Sequence, residues 1–348
     1  MNGSNGLITR EQRSVEIDII KGILLLFICL SHWGYWPSLL SIIIYPTASF
    51  WVPCFFILSG YLIKESPLKF YFLRKIRTLL IPYLFFGLLF SLIRFCVSKS
   101  IEYNILYDLK SLLIYGFGVE LASPLWFLYV LFGSLLLSNI AIRYFKHYSM
   151  IIALIAGKIA CLLPKVELNE PYMQTIIISG CVYTIMGYWI KVYTNKYQPN
   201  RAAKIITSIV LAVITIQGFC VCTSNDFHLN ILNHPILLYI SPLAFIALLV
   251  TRKTILFGRL SRSRITLIFQ YIANNGLIIL ATHRFLLWTY GAISARLPLT
   301  LPPDVDFLSK FVFVACTLYL LVIPFCNQYL YLIFGHPKKT WKESLCIQ

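Results

Sequence analysis

The sequence predicts an all-α, polytopic integral membrane protein with about ten transmembrane helices and both termini in the cytoplasm. Three observations carry that reading. Of 348 residues, 59% are hydrophobic and 12% charged, with a mean hydropathy of +0.77; a water-facing surface needs a charged share nearer about 25%. Apolar stretches of about 16 to 28 residues recur along the whole length, as helices crossing roughly 30 Å of hydrocarbon require. The charge is also one-sided. With the N-terminus inside, the inner segments hold 22 Lys and Arg against 5 acidic residues, whereas 8 bases and 8 acids balance outside. The net charge of +17 therefore reads as topology under the positive-inside rule, not as the footprint of a nucleic-acid binder. The strict apolar/polar alternation of an outer-membrane barrel is absent.

Residues 1–16 form a short polar, cytoplasmic arm, and the predicted spans follow at 17–36, 46–63, 79–97, 124–142, 149–164, 173–192, 203–222, 234–251, 265–290 and 307–334. The first is too long for a cleaved signal segment and lacks a convincing cleavage site, so it reads as a retained anchor. Between the second and third spans, KESPLKFYFLRKIRT (64–78) is a basic inner loop with the pattern of an interfacial amphipathic helix. The longest soluble piece is the outer segment 98–123, with charges of both signs and a break at Gly116–Gly118. Loops 191–204 and 252–264 are basic inner turns, and 335–348 is a cytoplasmic tail. The organisation is thus one transmembrane domain, 17–334, between an arm and a tail. Ten cysteines lie mostly singly inside predicted helices, with Cys220–Cys222 the one close pair. Metal-site and redox spacings are missing, so no metal is expected and the thiols read as small packing residues.

The candidate chemistry begins on the first span. Asp18 and Lys21, spaced i, i+3, pair at the cytoplasmic end. Lys21 and His32 are eleven residues apart, roughly 16 Å along a helix and on one face, so they approach opposite membrane surfaces. His32 reads either as an interfacial histidine or as a general base for a hydroxyl. In the second span Pro53 precedes Ser59-Gly60-Tyr61, where the glycine permits close helix packing or passage of a ligand chain. Arg74, Lys75 and Arg77 are topogenic or bind phosphates. His283 and Arg284 lie near the outer end of the ninth span, as an interfacial pair or a second functional group. Trp33, Trp36, Trp51, Trp126 and Trp288 gather at outer ends as an aromatic belt, from which one or two could stack on a sugar. Arg94 reads as a snorkelling side chain; Lys158 fits that explanation less well.

Five ordered segments resemble the membrane-bound acyltransferase-3 family, in its fucose-O-acetylase-like and O-antigen acetyltransferase branch. They are E-I-D-I-I-K-G with His32 eleven residues beyond Lys21, V-P-C-F-F-I-L-S-G-Y-L at 52–62, F-L-R-K-I-R-T-L-L-I-P-Y at 72–83, P-L-W-F-L at 124–128 and N-N-G-L-I-I-L-A-T-H at 274–283. The resemblance implies transfer of an acyl group, commonly acetyl from cytoplasmic acetyl-CoA, to a sugar hydroxyl across the membrane. His32 then matches the essential histidine, and Lys21, with its neighbour Asp18, the basic residue before it. Ser59, Gly60, Tyr61, Arg74, Lys75 and Arg77 fall on the acyl-CoA side, and Trp126, Asn275 and His283 on the acceptor side. Lys21 stands where many members have arginine, and Gly276 where many have serine.

The leading expectation is an inner-membrane O-acetyltransferase acting on a surface polysaccharide, such as the O-antigen of lipopolysaccharide, or on its lipid-linked precursor. Acetyl-CoA would be its co-substrate, with no tightly bound cofactor. The alternative is a transporter or flippase for a lipid-linked glycan or small metabolite, for which midplane charges on several helices and discontinuous helix pairs are expected. A sensor or scaffold without turnover is the third option.

Overall fold

The computed structural model describes residues 14–34, 37, 41, 50–64, 66–97, 105–162, 173–197, 199–221, 235–296, 301–335 and 337–345. Residues 1–13 of the polar arm, Trp36, 98–104 of the longest soluble segment, Cys222 and the final 346–348 lie outside them. The chain is a helical, polytopic membrane protein. Among the described residues, six stretches are long and apolar enough to cross a bilayer: Leu68–Val97, Ile105–Ile159, Thr175–Lys196, Arg201–Cys220, Gly276–Ser294 and Pro303–Tyr329. Each predicted span contains described helix.

Helix α1, Val15–Leu30, places Glu16 and Asp18 in its first turn, where carboxylates favour the positive end of the helix dipole. It stops earlier than the predicted 17–36. The Ser31 hydroxyl donates to the Ile28 carbonyl at 2.6 Å. The His32 and Trp33 amides donate only three residues back, to Cys29 and Leu30, and Gly34 adopts φ +85. Tightened bonds of this kind close a helix end, and the left-handed residue turns the chain away. His32 therefore sits on a turn above α1, not on a helical face.

Helix α2, Val52–Tyr61, packs against α7, Met173–Lys196, which also receives α5, Trp126–Phe145, and α6, Ser149–Leu162. The approach of α2 is very close. A Cβ built at Gly60 would collide with the Thr184 backbone, and one at Gly187 with the Ile57 carbonyl. Between these helices, α3 runs continuously over Leu68–Val97, so 64–78 does not hold a separate interfacial helix. A π-turn at Ile76–Leu80 joins its two parts. Pro82 supplies the reason: a proline clashes with the carbonyl four residues earlier, here Thr78, and a π-turn makes room. The same pairing recurs in Leu318–Val322 ahead of Pro324. The short helix α4, Ile105–Lys110, leads to left-handed Gly116 and Gly118. Arg94 does not snorkel: it bonds buried Asp108 at 3.3 Å and pairs with Glu120.

Helix α8, Arg201–Val221, pairs with α9, Pro235–Thr251, and α10, Lys253–Phe257, leads to the second half of the site. The predicted span 265–290 is broken into α11, Ile265–Asn274, and α12, Gly276–Ser294, by Asn275 at φ −104, ψ 13. Helix α13, Pro303–Tyr329, returns beside them.

A side chain at Gly60 must push α2 off α7. Gly60→Val is expected to lower the melting temperature of the detergent-solubilised protein, by overpacking worth about 1–3 kcal/mol. Gly291→Ala, where a Cβ meets open space, leaves it unlowered. Thermal-shift measurement on both variants checks the pair.

Candidate active site

Helix α1 lies alongside α11 and α12, and two long side chains tie it there. The Lys21 ammonium donates to the Ala273 carbonyl at 2.8 Å. Ala273 belongs to the last turn of α11, whose carbonyls have no intrahelical partners, and a cation at that end also suits the helix dipole. One site residue thus covers a helix end that the Asn275 break creates. Eleven residues further along both strands of the pair, the Arg284 guanidinium donates to the His32 carbonyl at 3.1 Å. Between these ties the backbones come close: a Cβ at Gly22 would stand 2.6 Å from the Phe269 carbonyl oxygen, and one at Gly276 would strike Leu25. Asp18, on the same end of α1, is 5% exposed.

The Arg284 tie brings two histidines together. The rings of His32 and His283 have centroids 5.3 Å apart at 45°, a tilted ring-to-ring contact. His283 is 0% exposed. Its Nδ1 lies 2.9 Å from the Ile279 carbonyl; a carbonyl only accepts, so Nδ1 carries the proton and Nε2 is left with its lone pair. Nε2 has no hydrogen-bond partner among the described residues. His32, half-buried on its turn, closes the other side. The arrangement sets a fixed acceptor nitrogen beside a second imidazole.

The other acceptor-side candidates gather around α12. Asn275 accepts from Asn327 Nδ2 at 3.2 Å and donates to the Tyr271 carbonyl at 2.9 Å, so it fixes the helix break. Trp126 begins α5 directly after the turn Glu120–Leu125, which packs on α12. Trp51 leaves the aromatic belt: it stacks on Phe27 with centroids 4.6 Å apart and meets Phe50, Phe219 and Phe245 edge-on.

In the basic cluster, the exposed Arg74 and half-buried Lys75 lie over the Tyr71 ring, 5.5 and 5.4 Å from its centroid. The Lys75 ammonium is within electrostatic reach of Lys21. Arg77 is exposed, its stem against Gly335. The Ser59-Gly60-Tyr61 element turns its glycine into α7, so on that face the backbone of α7 takes the space a ligand chain would need. No group of three or more His, Cys, Asp or Glu able to hold a metal occurs among the described residues.

Sequence reasoning missed the Ala273 carbonyl, the Arg284 tie and Asn327. Each is paired with a residue far away in the chain, and the one visible signal was that Asn327 is polar within an apolar run.

Paired imidazoles thus lie near one end of α1 and a basic cluster near the other. The chain belongs to the acyltransferase-3 family, whose model, an acyltransferase domain, matches residues 14–327. The match includes both histidines and ends at Asn327. No curated protein and no solved structure matches the chain.

If Lys21 holds α1 to α11, Lys21→Met should lower the melting temperature by the equivalent of about 1–3 kcal/mol, the cost of an unsatisfied buried carbonyl. Lys21→Arg, which keeps the cation, should recover part of the loss in the same thermal-shift assay.

Proposed function

We propose that this membrane acyltransferase takes an acetyl group from cytoplasmic acetyl-CoA and places it on a sugar hydroxyl of a surface polysaccharide or its lipid-linked precursor, working in the inner membrane. The observation that carries this reading is the His32–His283 pair, set about three helical turns from Lys21 and the Lys75 cluster. The nucleotide phosphates of acetyl-CoA cannot enter hydrocarbon, so they stay with Arg74, Lys75 and Arg77, where a guanidinium can grip phosphate in bidentate fashion. Only the thioester arm travels towards the imidazoles.

His32 removes the proton of the acceptor hydroxyl as its oxygen attacks the thioester carbonyl. A carbon–oxygen bond forms, the carbon–sulfur bond breaks, and the departing CoA thiolate takes the proton from the imidazolium. His283 Nε2, held as an acceptor, takes a hydrogen bond from a second hydroxyl of the sugar and so orients it. Trp126 supplies a stacking surface for the sugar. A relay through acetyl-histidine uses the same atoms in two steps.

The test uses membranes holding full-length protein, radiolabelled acetyl-CoA and the host's surface polysaccharide. His32→Ala and His283→Ala, at matched protein levels, should each cut label in polysaccharide about 10²-fold or more, the usual worth of a positioned acid–base group. Labelling unchanged by both removes the pair from the chemistry. In the same assay, Arg74→Ala with Lys75→Ala should raise KM for acetyl-CoA with little change in kcat, because uniform binding of the phosphates is lost. A fall in kcat alone would contradict that assignment.

A further inference from the structure

The chain beyond α13 folds back onto the bundle. The short helix α14, Tyr331–Phe334, packs on α3, and left-handed Gly335 then reverses the direction. A Cβ built at Gly335 would stand 3.4 Å from the Arg77 stem, so the turn lies against the basic cluster. From there Pro337–Leu345 crosses α13 as a strap that ends in the helix α15, Trp341–Leu345. Two hydrogen bonds fasten it. The Lys339 amide donates to the Asn327 carbonyl at 3.2 Å, and the Tyr319 hydroxyl donates to the Leu345 carbonyl at 2.6 Å.

The sequence of the strap keeps it in this shape. Thr340 and Glu343 form a capping box: the Glu343 carboxylate accepts from the Thr340 amide at 2.7 Å, and the Thr340 hydroxyl from the Glu343 amide at 3.3 Å. Reciprocal bonds of this kind fix the start of a helix. Ser344 in the same helix is 3% exposed, so α15 has a buried face. The anchors also lead to the helix break. Asn327 donates to Asn275, and the Tyr319 ring meets that of Tyr271 with centroids 5.5 Å apart. One end of the strap thus lies at Arg77, and its middle is tied to the break where Lys21 holds α11.

The strap carries Lys338, Lys339 and Lys342, all exposed, and one acid, Glu343, which is committed to the cap. Lys338 is three residues from Gly335, so its Cα lies at most about 11 Å from that turn. A basic tail that serves topology alone needs only to stay on its side of the membrane. Fastening it beside further cations works against charge repulsion, and is useful where an anion of several charges is shared between strap and bundle.

We propose that Lys338, Lys339 and Lys342 complete the donor site, meeting phosphates of acyl-CoA that Arg77 reaches from α3, so that strap and bundle hold the nucleotide from two sides. This rests on the acyltransferase reading and refines its donor side. The family match ends at Asn327, so the strap lies wholly beyond it. A diphosphate on one side of the ribose and a monophosphate on the other present charge in two directions. Lysine offers each a mobile point charge, arginine a planar fork. The acceptor sugar is excluded by position, because the strap is tied to the Lys21 end of α1 and the imidazoles lie at the other.

The test uses full-length protein in membranes and compares acetyl-CoA with acetyl-pantetheine, which has the same thioester and no phosphate. Replacing the three lysines together, Lys338→Gln, Lys339→Gln and Lys342→Gln, removes charge and leaves the strap's two backbone anchors in place. KM for acetyl-CoA should rise about tenfold with kcat unchanged, each exposed cation–phosphate contact being worth up to about fivefold, and KM for acetyl-pantetheine should not move. Tyr319→Phe, which frees the Leu345 end, should raise KM for acetyl-CoA by a smaller factor. Detergent-solubilised wild type should gain more thermal stability from CoA than the triple variant does. Unchanged KM for acetyl-CoA in the triple variant overturns the proposal, and so does an equal rise for both donors, which marks the strap as structural only. A loss of melting temperature in phosphatidylglycerol nanodiscs but not in phosphatidylcholine, with donor KM unmoved, assigns the lysines to anionic lipid and also overturns it. Turnover of neither donor by the wild type strikes the acyltransferase reading itself.

Discussion

Two cation-to-carbonyl hydrogen bonds, Lys21 to Ala273 and Arg284 to His32, hold α1 in register along the broken helix α11–α12. Both join residues 252 positions apart. In a bilayer an unsatisfied backbone carbonyl costs several kcal/mol, so a helix that breaks at Asn275 needs a partner for its last turn. Lys21 is that partner. Because α1 and α12 run the same way, the register set at Lys21 is carried eleven residues on, and there Arg284 meets the turn that holds His32. The juxtaposition of the two imidazoles is the far end of this arrangement, and shifting α1 by one residue would separate them.

The rest of the bundle supplies a rigid frame for that register. Helix α7 is the hub on which α2, α5, α6 and α9 pack, and the paired glycines Gly60 and Gly187 let α2 approach it nearly backbone to backbone. Prolines within long helices are absorbed by π-turns, at Ile76–Leu80 before Pro82 and at Leu318–Val322 before Pro324. Each π-turn rotates the helix beyond it, which re-aims the side chains there.

Much of this was legible from residue pattern. The apolar spans and the one-sided basic charge follow from hydropathy alone, and every predicted span holds helix, with α4 and α10 lying in the predicted loops between them; the helical spacing of Lys21 and His32 did not hold, because α1 ends at Leu30. What could not be read was long-range. Hydropathy reports that 265–290 is apolar enough to cross, but the break at Asn275 depends on Asn327 offering its amide across the bundle. Arg94 looked like a snorkelling side chain because Asp108 and Glu120 lie beyond the span. Trp51 looked interfacial because its stacking partners Phe27, Phe219 and Phe245 come from three other helices. Gly276 illustrates the converse: the departure from serine has a steric cause here, since Leu25 occupies the space a side chain would need.

A broken helix in a membrane protein ordinarily invites a transport reading, because half-helix ends are good ion ligands. The α11–α12 break is different in a way that its partners decide. The Ala273 carbonyl is taken by Lys21, a cation of the chain itself, and the Asn275 side chain is bonded to Asn327 and to the Tyr271 carbonyl. These groups are committed to holding helices, not to a passing ion. Among the described residues the Trp33 indole nitrogen, the Tyr271 hydroxyl and His283 Nε2 are buried without a hydrogen-bond partner, enclosed rather than lined up along a water-filled path. Groups committed to holding helices accord with the acyltransferase family to which the chain belongs.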